Sequence, residues 1–172
     1  MNQVTPINAT QQQQVTEETL RFIRMGETLF DRPFSDIPVL FDLRGRASGM
    51  YRVRGRERRI RYNPWLFARY YENCMASTVP HEVAHYLSDV VYGLRNIRPH
   101  GREWRAIMAA FGADASVTAD YSLDGIPLRR TRKHGYRCAC DIHWLGALRD
   151  RRVRSGAARY RCRRCGEPLQ PV

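Results

Sequence analysis

The stretch Val79-Pro80-His81-Glu82-Val83-Ala84-His85-Tyr86-Leu87 constrains this 172-residue chain more than any other. His81 and His85 stand four apart, so on a helix both imidazoles leave the same face, one turn above the other. At that spacing two nitrogens can reach one zinc ion at about 2.0–2.1 Å each. Glu82 follows the first histidine, close enough to lean over the metal without coordinating it. In such sites the metal polarises a carbonyl and the carboxylate takes a proton from the attacking water. Histidine is scarce here, 5 in 172, which weighs against a chance match. The bland alternative is a surface helix with two solvated histidines.

Two histidines do not make a site. Structural zinc takes four protein ligands, and catalytic zinc takes three plus water. His100 leads as the third ligand, in Arg98-Pro99-His100-Gly101-Arg102-Glu103-Trp104, where Pro99 and Gly101 predict a tight bend that can return the imidazole to the first helix. Glu103 competes as an oxygen ligand, and Asp89 lies one turn beyond His85 on roughly the same face.

The elements around the motif follow from pattern. Thr16-Glu17-Glu18 reads as a helix start, with an apolar stripe running to Phe30, and Asp31-Arg32-Pro33 ends it. Val39, Phe41 and Leu43 alternate as a strand. Tyr51 and Val53 oppose Arg52 and Arg54, Gly55-Arg56-Glu57 turns, and Ile60 and Tyr62 alternate with Arg61. This predicts a small antiparallel sheet with a basic outer face. The motif helix starts between Glu72 and Val79 and ends at Gly93. Pro80 sits in its first turn, with Ser77 or Thr78 as cap, or kinks a longer helix. Cys74 reads as a buried thiol. A short helix runs to Phe111, and Ala113 to Gly135 is a connector.

Four of the five cysteines crowd after residue 137. Cys162-x2-Cys165 is a zinc knuckle in form, with Gly166 permitting the turn after it. Cys140-x2-His143 has the same spacing, and the 18 residues between the pairs suit a zinc ribbon. Cys138 is a spare thiolate, so the first pair is any two of Cys138, Cys140 and His143. An odd cysteine count crowded in this way points to metal in a reducing compartment and away from a disulfide framework. Met1 to Gln14 has neither the basic start nor the apolar centre of a signal peptide, and no apolar run reaches the ~18 residues of a membrane span. A cytoplasmic protein with a loose leader, and no membrane partner, is the expectation.

The net charge of +12 is unevenly placed. Residues 129–172 carry 13 Lys+Arg against 3 Asp+Glu, and residues 44–61 carry 8 Arg against Glu57 alone. Two basic concentrations on a slightly acidic body form an electrostatic footprint for a polyanion, here DNA bound without regard to sequence. Arg52, Arg54, Arg56 and Arg58 of the hairpin, and Arg163 and Arg164 of the second knuckle, are the candidate contacts. The arginine forks suit phosphate, but a solvated basic surface is the alternative.

Taken together, VPHEVAHYL (79–87), RPHGREW (98–104), YRCACDIH (136–143) and YRCRRCGEPL (160–169), after an arginine-rich hairpin, resemble the SprT family of zinc metallopeptidases, relatives of the Spartan protease domain. The resemblance covers about residues 15–172. It implies an α+β fold: a small zincin-like core of helices and a short antiparallel sheet over 15–128, then a basic zinc ribbon over 129–172. The polar stretch 1–14, outside the resemblance, is expected to be a flexible leader. It implies His81, His85 and His100 as ligands of a catalytic zinc, Glu82 as general base, and a second, structural zinc in the ribbon. The resemblance further implies a zinc metalloendopeptidase acting on proteins at or near DNA; a monomer is the expectation. Tyr86 and Arg102 are the only guesses for an oxyanion partner. Two other classes fit part of the pattern. A DNA-binding protein with structural zinc explains the charge and the ribbon but gives Glu82 no role. A metal-dependent hydrolase of another substrate shares the whole site.

Overall fold

The computed structural model describes residues 4–116, 120–128 and 132–172. The first three residues of the expected leader, and 129–131 where the ribbon is expected to begin, lie outside them. The fold is α+β and divides into two compact units, Met1–Leu128 and Arg129–Val172. No helix among the described residues is long and apolar enough to cross a membrane.

The first unit opens with α1, Ala9–Phe30. Asn8 and Gln11 form a reciprocal capping box, each side chain accepting from the other's main-chain N–H. The cap therefore stands at Asn8, two turns before the Thr16 that the sequence suggests. Thr16 lies inside the helix, and Ile7 and Val15 are buried, so the glutamine run is ordered helix. At the other end Asp31 takes the left-handed conformation that closes the last turn.

β1 (Val39–Leu40), β2 (Gly49–Arg54) and β3 (Glu57–Tyr62) form a sheet in the order β1-β3-β2. The β2–β3 hairpin is antiparallel, as its alternation predicts, but β1 pairs with β3 in parallel, so this sheet is mixed. Asn63 ends β3 and caps α2, Pro64–Arg69: its Oδ1 accepts from the Trp65 and Leu66 N–H groups.

A continuous helical run follows. It comprises α3 (Tyr71–Asn73), one wide π turn over Cys74–Thr78, and α4 (Val79–Tyr92), which carries the motif. Pro80 has no N–H to offer the carbonyl four residues back, and its ring crowds that carbonyl. The π turn, in which the Val79 N–H reaches the Cys74 carbonyl, absorbs the misfit. Cys74 is buried, as its place upstream of the motif suggests. Helix α4 ends at Gly93, and α5 spans Arg102–Ala110.

The core lies where α1, α4, α5 and β3 meet. Phe22, Ile23, Ile60, Val83, Leu87, Trp104, Ile107 and Met108 are all buried there. Gly26 lets α1 come close to α4, because a Cβ on it would collide with the Leu87 side chain.

The second unit is built on a sheet of order β5-β4-β6, all antiparallel: β4 (Lys133–Arg137), β5 (Ile142–Gly146) and β6 (Gln170–Pro171). α6, Ala147–Arg154, fills the span between the two ligand pairs. Tyr136 is buried, its hydroxyl donating to Asp150, which also pairs with Arg154.

Candidate metal centres

Helix α4 sends His81 and His85 to one face, and the loop after it brings in His100. Their Nε2 atoms form a nearly equilateral triangle with sides of 3.2, 3.0 and 3.0 Å. Two nitrogens bound tetrahedrally at about 2.0–2.1 Å lie roughly 3.3 Å apart, so the triangle fits one ion with a fourth position open. His100 reaches the triangle through a left-handed backbone, φ 55°, rare outside glycine, at a turn closed by the Gly101 N–H on the Arg98 carbonyl. All three rings are held neutral, the form that binds metal. Burial, reinforced by the neighbouring imidazoles, lowers His81 to about 4 and His85 to about 3. Burial also lowers His100.

Trp104 is the floor of this arrangement. Its ring lies 4.7–5.7 Å from the three imidazole centroids, and its Nε1–H donates to the His81 carbonyl at 3.2 Å. In the sequence it reads only as part of the α5 apolar stripe.

Glu82 is 6% exposed, and burial raises its carboxyl to about 8 against the opposing pull of one hydrogen bond. That bond is from the Tyr51 main-chain N–H to Oε2, at 2.5 Å. Gly49 lies against the same side chain: a Cβ there would come within 2.7 Å of Glu82 Cγ and Oε1. The triad and Glu82 line a cleft of about 360 Å³ whose other walls include Met50, Val53, Leu94 and Ile97.

Of the competing ligands, neither joins the triad. Glu103 pairs with Arg102, and Asp89, only 7% exposed, accepts from Tyr51 Oη and Arg58 Nε, both at 2.7 Å. Arg58 therefore does not belong to the basic outer face. It stands opposite Val53 in the hairpin register, and its side chain pairs with the α4 residue Asp89. Arg52 and Arg54 alternate outward on β2, and Arg56 is exposed at the turn. The guesses for an oxyanion partner fail as well. Tyr86 is buried and donates to the Ser35 carbonyl, and the Arg102 side chain is 94% exposed; neither lines the cleft.

In the second unit the Sγ atoms of Cys138, Cys140, Cys162 and Cys165 lie within 4.8 Å of one another. Separations of 3.5 Å for Cys138–Cys140 and 3.7 Å for Cys140–Cys162 match the roughly 3.8 Å between thiolates bound tetrahedrally at about 2.3 Å. His143 stands outside the four. The turn between β4 and β5 holds both cysteines, whereas His143 sits in β5 opposite Tyr136, its Nε2 3.1 Å from Cys138 Sγ. Hydrogen bonding to Cys138, Cys165 and Cys162 pushes the Cys140 thiol up to about 12, because so many thiols at this spacing cannot all ionise without a cation between them. Gly166, φ 73°, makes the turn after the second pair, and Arg163 and Arg164 are exposed beside it.

Both groups can hold a metal ion. Residues 19–131 match the model of the SprT-like family. Three similar proteins bear the name Protein SprT. That of Shewanella oneidensis is 34% identical over 90% of this chain and 95% of its own. That of Vibrio parahaemolyticus is 33% identical over 86% of each, and that of Pseudomonas savastanoi 37% over 85% and 87%. No solved structure matches.

Proposed function

The chain belongs to the SprT-like family, and on that premise we propose that it is a zinc-dependent metallopeptidase, zincin-like in its core, acting on proteins held at or near nucleic acid. The observation that carries this reading is the pairing of an open three-nitrogen triangle with a carboxylate that does not join it. Zinc on the triad would supply Lewis acidity toward the scissile carbonyl and lower the pKa of water. His81, His85 and His100 would hold that ion with neutral imidazoles. Glu82 has one oxygen engaged by the Tyr51 N–H, while Oε1 accepts no protein hydrogen bond among the described residues. A cation held by the triad would oppose the effect of burial and favour the ionised carboxylate. Oε1 would then take the proton from the attacking water, and Glu82 would deliver it to the leaving amine. The cleft beside the triad, with apolar walls from Met50, Val53, Leu94 and Ile97, accommodates an extended polypeptide segment.

The four-cysteine group would hold a second zinc with a closed shell, fixing the turns of the ribbon. The exposed Arg52, Arg54 and Arg56 on the first unit support phosphate binding, as do Arg163 and Arg164 on the second. On β5, Trp144 is 64% exposed opposite Gly135, with Arg137 on the neighbouring strand; an open indole on a basic unit suits base stacking. A binding protein without hydrolysis would leave Glu82 and the open triad without a role. The test is proteolysis of a DNA-bound protein substrate by zinc-loaded protein, with and without DNA. Cleavage that disappears on chelation and returns with zinc supports the proposal; no cleavage under any of these conditions moves the binding-protein alternative ahead.

A further inference from the structure

Beyond the triad, one part-buried polar cluster, centred on the buried Asp89, joins the hairpin to the metal helix. Asp89 Oδ2 accepts from the Tyr51 hydroxyl and from Arg58 Nε, each at 2.7 Å. Asp89 lies on α4, seven residues after Glu82. Tyr51 lies on β2, at the open edge of its sheet, and Arg58 on β3. So one carboxylate near the end of α4 grips both strands of the hairpin. Tyr51 is engaged at both ends: its hydroxyl goes to Asp89 and its main-chain N–H to Glu82 Oε2 at 2.5 Å. Burial and the Asp89 bond keep its phenol protonated, well above the ordinary tyrosine range. Gly49, two residues earlier on the same strand, closes against Glu82 Cγ and Oε1. The strand thus forms a slot for Glu82, and its placement across α4 is set one to two helical turns away from that residue.

We propose that Asp89, through Tyr51 and Arg58, is the positioning residue for Glu82: it fixes β2 on α4 so that the Tyr51 N–H holds Oε2 and leaves Oε1 to the cleft. The proposal rests on Glu82 being the base of the proposed peptidase. It also assigns Arg58 to the catalytic geometry and away from nucleic acid. A lone carboxylate on the flexible χ angles of glutamate samples several orientations, and catalysis is sensitive to displacements of about 1 Å. The two strands supply the restraint that the first turn of α4 lacks.

The test uses the full-length, zinc-loaded, ¹⁵N-labelled protein and two readouts. The first is the Tyr51 amide resonance and its hydrogen-exchange protection. The second is the split between kcat and KM on a protein substrate. In Asp89→Asn and Arg58→Ala the Tyr51 amide should move toward its position in Glu82→Ala, which removes the acceptor, and lose protection. kcat should fall by about tenfold or more, with KM and zinc content held. Arg58→Lys should restore part of both, and Tyr51→Phe, which keeps the N–H but not the hydroxyl, should fall between. If Asp89→Asn proves too unstable to study, Tyr51→Phe and Arg58→Lys decide the matter. An unmoved, protected Tyr51 amide in the variants overturns the proposal. A moved amide in a protein that shows no proteolysis upholds the clamp and overturns the peptidase reading, so the two failures are distinguishable.

Discussion

The indole of Trp104 donates to the main-chain carbonyl of His81 at 3.2 Å while its ring faces that residue's imidazole at 4.8 Å. One side chain of α5 therefore fixes both the backbone and the ring of a candidate ligand on α4. Trp104→Phe, which keeps a ring but loses the donor, should weaken zinc binding at the triad by about tenfold, the low end for residues that orient ligands. Trp104→Ala should also cost roughly 3–5 kcal/mol of stability, since the residue is 1% exposed. Chelator competition and thermal denaturation measure the two effects separately.

Gly49 gives a sharper test of the slot around Glu82. Gly49→Ala introduces a Cβ 2.7 Å from Glu82 Cγ, so the carboxylate has to shift while the triad stays intact. Turnover should drop by about 10² or more, with zinc content unchanged. Wild-type turnover in this variant would mean that the position of Glu82 is not critical.

Zinc should be present in two ions of different character, one for each ligand group. Cys162→Ala/Cys165→Ala should lose the ribbon metal and the order of the second unit, and keep the triad metal. Quantitative metal analysis decides this. A single zinc in wild type, absent from the double variant, would remove the triad as a metal centre.

For nucleic acid the informative set is Arg52, Arg54 and Arg56, with Arg58 left in place because it serves Asp89. Changing these three to Glu should weaken DNA binding and reduce the steepness of its salt dependence, by about 0.7–0.9 for each phosphate that is no longer neutralised. An unchanged slope would return them to ordinary surface.

What is legible in the sequence is local. The four-residue spacing of His81 and His85, the bend at Pro99-His100-Gly101 and the hairpin turn at Gly55 each act within a few residues, and the structure keeps them. The contacts that set the site span 23 to 31 residues: Trp104 to His81, Tyr51 to Glu82, Arg58 to Asp89. They depend on the placement of a strand across a helix, which no local pattern encodes. Arg58 shows how this misleads. Among eight arginines its charge looks like surface, and only the pairing with Val53 turns it inward. His143 is ambiguous for the opposite reason: Cys140-x2-His143 has the right spacing, but β5 has already begun at Ile142. The start of α1 is hidden because the glutamines carry no apolar period, and the cap rests on Asn8 and Gln11.

In the proposed mechanism Glu82 acts as base beside a metal it does not bind, and the most direct measurement pairs zinc content with proteolysis in wild type, Glu82→Gln and His85→Ala. Glu82→Gln keeps the size and polarity of the side chain but cannot take a proton. It should retain the triad zinc, melting temperature and DNA affinity, and lose about 10²–10⁴-fold in turnover. His85→Ala should lose triad zinc and activity together. Loss of the triad zinc in Glu82→Gln, or wild-type turnover in that variant, would contradict the account.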